Sequence, residues 1–202
     1  MNNVPDPNVD SVELRLVRAA AAGDPEARRT LFEQHRQAAY AVALRITGRN
    51  EDALDVVQDA FIRAFERLGE FQHEAGFKTW LLRITSNRAL DVLRARKVRL
   101  AVRLDGDDDE ERSLEPAADA DNTAPGRELE AGELRERLQR AIEKLPPEQR
   151  TVFAMYATGE LTYEQIAEAV GIPIGTVMSR LYHARRRLHE MLADLAPGGA
   201  KK

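Results

Sequence analysis

Apolar residues recur every three or four positions over two long zones of this 202-residue chain, roughly 11–100 and 127–195. That spacing marks one face of an α-helix. Asp24-Pro25 supplies an N-cap and a proline at the first helical position, so a helix is predicted to about Thr47, with Gly48 as its stop. Asn50 caps the next helix, which reaches Leu68 before Gly69. The loop EFQHEAGF leads into a third helix from about Lys78 to Arg99. In the second zone Pro146-Pro147 opens a helix through Ala157, and Thr162 caps a short one with Glu164-Gln165 in its first turn.

The period fails between 104 and 126, where acids, Pro116, Pro125 and Gly126 predict a disordered linker. Many Ala and Leu and only 5% aromatic residues favour helical bundles over sheets. The chain has no cysteine, which excludes disulfides and thiolate metal sites. The start, MNNVPDPNVD, lacks the apolar core of a signal peptide, and no apolar run approaches membrane-spanning length.

A net charge of −4 argues against a nucleic-acid binder until its distribution is considered. Residues 105–121 hold nine acids and one Arg, whereas 83–103 hold seven Arg or Lys and one Asp. Residues 176–192 hold four Arg and one Glu. Local patches set the electrostatic footprint on DNA, so the two basic segments matter more than the sum.

Three helices carry candidate chemistry. On a wheel of 52–68, Ala53, Leu54, Val57, Ala60, Phe61, Ala64, Phe65 and Leu68 share one face. Asp52, Asp55, Asp59 and Glu66 share the other, flanked by Val56 and Ile62. Spacing alone favours a solvated face over a docking surface for a basic helix. In FKTWLLRITSNRALDVLRARKVR, Trp80, Leu81, Ile84, Leu90 and Leu93 can build a core. Lys78, Arg83, Asn87, Arg88, Arg94, Arg96, Lys97 and Arg99 remain for solvent or phosphates. Asn87 can donate to and accept from a base edge, and can equally bond backbone within a bundle.

LTYEQIAEAVGIPIGTVMSRLYHARRRL carries the helix-turn-helix pattern. Ile166 and Val170 pack the first helix, Ala167 permits close approach, Gly171 makes the turn and Pro173 stops continuation. The second helix starts near Gly175-Thr176 and buries Val177, Leu181, Ala184, Leu188, Met191 and Leu192. Met178, Ser179, Tyr182, His183 and Arg186 face away, with Arg180 and Arg187 on one flank and Arg185 on the other. A recognition helix in the major groove fits this face. The predicted fold is all-α: two small helical domains joined by a flexible acidic linker, the C-terminal one a helix-turn-helix.

As an ordered set, DVVQDAF, FKTWLLRITSNRALDVLRARK, LPPEQR and LTYEQIAEAVGIPIGTVMSRL resemble the extracytoplasmic-function group of bacterial sigma-70 family factors. The resemblance covers about 11–100 and 128–193. It implies a disordered start at 1–10, a sigma region 2 at 11–100, a linker at 101–127, a region 4 at 128–195 and a tail at 196–202. It implies a cytoplasmic bacterial protein that gives core RNA polymerase its promoter specificity. Docking on the clamp helices of the largest subunit is expected from Asp52, Asp55, Val56, Gln58, Asp59 and Ile62. Reading of the melted minus-10 strand is expected from His73, Lys78, Arg83, Asn87, Arg88, Arg94, Arg96 and Lys97, with Asn87 near a flipped base. Reading of the duplex minus-35 element is expected from Thr176, Met178, Ser179, Arg180, Tyr182, His183 and Arg186. The resemblance further implies control by an anti-sigma factor and a linker running through the polymerase's RNA channel.

Relatives often carry basic residues where Met178 stands and near His183, so their minus-35 preference does not transfer. His35, His73, His183 and His189 show no metal spacing, and no Gly-rich phosphate loop is present. Neither enzymatic activity nor a cofactor or metal is expected. Two competing classes remain: a stand-alone helix-turn-helix regulator that shifts duplex DNA by itself, and an interaction protein whose acid stripe binds another basic helix.

Overall fold

The computed structural model describes residues 7–71, 76–103 and 125–193, with side chains over 12–71, 76–99 and 132–193. Among the described residues there are eight helices: α1 (Pro7–Ala21), α2 (Pro25–Thr47), α3 (Asn50–Glu66), α4 (Phe77–Arg103), α5 (Pro125–Glu143), α6 (Pro147–Tyr156), α7 (Tyr163–Val170) and α8 (Ile174–Met191). A single 3-10 turn, Leu68–Glu70, follows α3. Helix α1 starts at Pro7, which corrects the expected disorder at 7–10; proline fits a first turn whose N–H groups have no helical partner. Residues 1–6, His73, the acidic segment 104–124 and the tail from 194 lie outside the described residues.

The helix boundaries follow local hydrogen-bond chemistry. Asp24 Oδ1 accepts from the Glu26 and Ala27 N–H groups at 2.9 and 3.3 Å. Gly48 closes α2 at φ 77°, its N–H donating to the Leu44 carbonyl at 2.8 Å. At α7, Thr162 Oγ1 accepts from Gln165 N–H at 3.2 Å, and Gln165 Oε1 accepts from Thr162 N–H at 2.9 Å. Gly171 then turns the chain at φ 72°.

Helix α2 lies at the centre, packed on α1, α3 and α4. Leu31, Val42 and Ile46 of α2, Val56 and Ala60 of α3, and Leu81 and Leu82 of α4 are fully buried. The wheel reading of α3 is corrected here. Val56 is 0% exposed, because α2 and α4 both press on α3 and draw its core arc round to that position. Leu54, assigned to the core, is 55% exposed. On α4 the core instead takes Phe77, Leu82 and Ala89 beside Leu81, while Trp80, Ile84, Leu90 and Leu93 are half-buried at its margin.

The same core continues into Val152 and Met155 of α6, Ile166 of α7, and Val177 and Leu181 of α8. Helix α6 packs on α2 and α7 packs on α4. The two periodic zones therefore share a core across their seam. A smaller cluster of Ala141, Ile142, Leu145, Ala184 and Leu188 holds α5 against α8.

His35 is the titratable residue buried in the first core, beside the buried hydroxyls of Thr47, Thr79, Thr85 and Ser86. It is 8% exposed, its Nε2 lies 3.8 Å from Glu13 Oε1, and its ring is 5.4 Å from Phe77. Burial, reinforced by Lys78 and opposed by Glu160, lowers its pKa from 6.5 to about 4. The unfolded chain therefore binds more protons below pH 6.5, and stability falls as pH drops from 6.5 towards 4. The loss from this group between pH 7 and pH 5 is about 2 kcal/mol. Urea midpoints at the two pH values check it: His35→Gln should flatten that part of the profile, and an unchanged slope would assign the acid sensitivity elsewhere.

Candidate functional site

Three exposed helix faces carry the candidate residues. On α3, Asp55, Gln58 and Ile62 are exposed and Asp52 and Asp59 half-exposed. Leu54, Gln58 and Ile62 form an i, i+4, i+8 row, so two large apolar side chains stand in water beside Asp55. A merely solvated acidic face has no need of them. Leu54 is the residue that the sequence reading missed. Its spacing to Ile62 was available, but an aliphatic residue in an amphipathic helix is by default assigned inward. Val56 leaves the docking set, being enclosed by the bundle.

Asp59 also ties α3 to α4. Arg88 Nε donates to Asp59 Oδ2 at 2.7 Å, with both side chains about a third exposed. The two predicted surfaces are thus joined by one charge-assisted bond. Arg83, Asn87, Arg94 and Lys97 are exposed on α4. Trp80, Arg83 and Asn87 stand at i, i+3 and i+7, and so share a side of that helix. Trp80 is held there by Phe71 and Phe77, at ring distances of 5.1 and 6.0 Å.

Lys78 and Arg96 occupy a different side of α4 and do not share the Trp80–Asn87 face. Lys78 Nζ is 2.5 Å from Glu160 Oε2, in the turn before α7. Arg96 Nη1 reaches the Thr47 carbonyl at 3.5 Å. Both are turned towards packing neighbours, which corrects the expectation of a free basic surface at these two positions.

Helix α8 presents the third face. Val177, Leu181, Ala184 and Leu188 are buried as expected, and Met191 and Leu192 pack at the margin. Met178 is 50% and Tyr182 63% exposed, and Ser179, His183 and Arg186 are exposed with them; Thr176 is half-buried. Two of the three flanking arginines, Arg180 and Arg185, are committed within the domain, and Arg187 is exposed. Arg180 Nη2 bonds Glu148 Oε2 of α6 at 2.9 Å, and Arg185 stacks over Tyr156 at 4.4 Å. Arg186 Nε bonds Glu190 Oε1 at 3.0 Å, which raises its pKa. Arg180 is therefore a brace at the edge of the face, with its charge already paired. Among the described residues no helix is long and apolar enough to cross a membrane.

Residues 31–99 match the family described as sigma-70 region 2, and residues 135–188 match sigma-70 region 4. The chain is 30% identical over 181 residues to the ECF RNA polymerase sigma factor SigW of Bacillus subtilis, covering 90% of this chain and 97% of that protein. It is 32% identical over 181 residues to the ECF RNA polymerase sigma-E factor of Escherichia coli, covering 89% and 94%. Among solved structures, it superposes on the sigma factor RpoE of Bartonella quintana, crystallised with the anti-sigma factor NepR. That match has a TM-score of 0.63 and 25% identity, over 82% of this chain and 96% of that one. CnrH, in complex with the cytosolic domain of CnrY, shares the fold at a TM-score of 0.64 and 24% identity, over 89% and 96%. Both regions stand in order along the chain, and the relatives match over nearly their whole length: this chain belongs to the extracytoplasmic-function group of RNA polymerase sigma factors.

Proposed function

We propose that the chain docks on core RNA polymerase through the exposed side of α3, with Leu54, Asp55, Gln58 and Ile62 as its centre and Asp52 and Asp59 at the rim. Region 2, at 11–100, reads the melted minus-10 strand through the Trp80, Arg83 and Asn87 side of α4, with Arg88, Arg94 and Lys97 near the phosphates. Region 4, at 128–195, reads duplex at minus-35 through Met178, Ser179, Tyr182, His183 and Arg186. The observation that carries the reading is the pairing of exposed Leu54 and Ile62 with Asp55 on α3. Apolar side chains in water beside acids suit a helical partner with a basic, partly apolar face.

The chain recognises and positions, while the polymerase supplies the chemistry, so it acts in the cytoplasm without a cofactor of its own. The sigma factor RpoE of Bartonella quintana was captured with an anti-sigma factor. An anti-sigma protein covering the α3 or α8 face would silence this chain by the same surfaces. Run-off transcription with purified bacterial core polymerase and promoter DNA tests the reading. Specific transcripts that depend on the chain support it. A protein that shifts duplex DNA alone and yields no transcript would be a stand-alone regulator instead.

Met178 gives the finer test. It is half-exposed on the second turn of the recognition helix, where base edges are read. Met178→Arg is expected to change preference at one or two minus-35 positions by about 1–3 kcal/mol, with guanine favoured. Selection from a randomised minus-35 library measures it. An equal affinity change for every sequence would mean that Met178 does not face the groove.

A further inference from the structure

The side of α8 next to α7 offers carbon and sulfur where a DNA-reading helix most often offers arginine. Tyr163, the first residue of α7, lines one shallow depression of about 440 Å³ with Met178, Leu181 and Tyr182 of α8. Arg185 and Arg186 line it further along α8. Met178 and Tyr182 are its exposed walls, at 50% and 63%. The rings are held in place: Tyr163 lies 6.0 Å from Tyr156, and Tyr182 meets the His183 ring edge-on at 5.4 Å. The arginines nearest this strip are engaged within the chain. Arg180 bonds Glu148, Arg185 lies over Tyr156 and Arg186 bonds Glu190. Exposed Arg187 is about two and a half turns on from Met178, and so on the opposite side of the helix. Ser179 and His183 stand beside the strip and keep polar contacts for other bases.

The base edges in the major groove are almost wholly polar. Guanine, cytosine and adenine present only nitrogen and oxygen groups there, and the 5-methyl of thymine is the apolar exception. A polar edge pressed on Met178 and the Tyr182 ring loses water and gains no hydrogen bond in return, whereas a methyl gains by leaving water. We propose that the α7–α8 depression is a site for thymine methyls. Met178 and Tyr182 each cover one, and Tyr163 is a further reading residue that walls the site from α7. Met178 and Tyr182 are four residues apart, a rise of about 6 Å, against a base-pair step of about 3.4 Å. The two thymines therefore lie no more than two base pairs apart. The inference rests on α8 being the minus-35 helix, and adds which base chemistry that helix selects.

Deoxyuridine makes a direct test possible, because it removes the methyl of thymine and leaves the hydrogen-bonding edge intact. The full chain with core polymerase first selects its minus-35 element from a randomised library. Each thymine of the selected element is then replaced by deoxyuridine, one at a time, and the affinity of the holoenzyme is measured. Uracil is expected to weaken binding about three- to fivefold at each of two positions no more than two base pairs apart. The loss should be the same at low and high salt, since no phosphate contact is involved. Met178→Ala should abolish the uracil effect at one of these positions and Tyr182→Ala at the other. With cytosine at either position, 5-methylcytosine should bind better than cytosine. A selected element whose uracil forms bind undiminished, or a uracil effect that persists in both variants, overturns the proposal and leaves the recognition-helix reading standing. A selection that returns no preferred minus-35 sequence overturns both.

Discussion

Asp55→Arg is expected to weaken binding to core RNA polymerase by about 100-fold while leaving stability within about 0.5 kcal/mol of the parent. Asp55 is exposed and sits beside the Leu54–Gln58–Ile62 row. Reversing a charge at the centre of a docking patch both removes an attraction and places like charges together, and central residues of such patches cost about 2–4 kcal/mol when lost. That range corresponds to roughly 30- to 1,000-fold in affinity. Asp59 is a poorer test position, because its reversal would also break the bond to Arg88 and disturb the register of α4 on α3. Val56→Ala supplies the contrast. Its methyl groups lie in the core, so it should cost about 1–2 kcal/mol in urea unfolding and leave the affinity of the folded protein unchanged. Titration of fluorescent core polymerase with the three proteins separates the cases. If Val56→Ala weakened docking and Asp55→Arg did not, the face of α3 drawn here would be rotated the wrong way.

The difference between Leu54 and Val56 shows where sequence reasoning stopped. Most caps and turns were legible because they are local: Asp24, Gly48, Thr162, Gln165 and Gly171 satisfy or terminate backbone groups within a few residues of themselves, whereas the cap expected at Asn50 is not formed, since Arg49 holds the cap position and Asn50 Oδ1 accepts from Tyr40 of α2 instead. The buried face of α8 was legible because its period is clean: Val177, Leu181, Ala184 and Leu188 recur every three or four positions, and α5, α6 and α7 all pack on that one stripe. Helix α3 is pressed by both α2 and α4, so its buried arc follows the angle between two neighbours, which no wheel contains. Exposed Leu54 further pulled the apparent apolar face away from Val56. Lys78 and Arg96 failed for a related reason. Their partners, Glu160 and the Thr47 carbonyl, are 82 and 49 residues away in sequence, and periodicity reports only that such residues are polar. Arg180 reads as a minus-35 contact in the sequence because nothing in α8 itself announces Glu148.

Arg150→Met is expected to destabilise the chain by about 3 kcal/mol, the largest effect of any single substitution of a polar residue considered above. Arg150 is 8% exposed, and burial lowers its pKa despite Glu143 nearby. Its guanidinium remains a cation nonetheless, since arginine does not deprotonate in proteins. It serves three carbonyls: Ile46, Glu143 and Leu145. Methionine fills similar volume but leaves those oxygens facing a largely dry seam, each short of a charge-assisted bond worth about 1.5–3 kcal/mol before relaxation and entry of water. A loss of this size is a large share of the 5–15 kcal/mol available to a folded domain, and should lower the melting temperature by about 6–12 °C. Arg150→Lys should recover only part of it, because an ammonium cannot fork across two helix ends as the planar guanidinium does. Urea unfolding of the three proteins measures the ladder. The Glu143 and Leu145 bonds lie within the second half of the chain, whereas the Ile46 bond crosses the seam. If Arg150→Met unfolded within about 1 kcal/mol of the parent, the guanidinium would not be holding these three carbonyls.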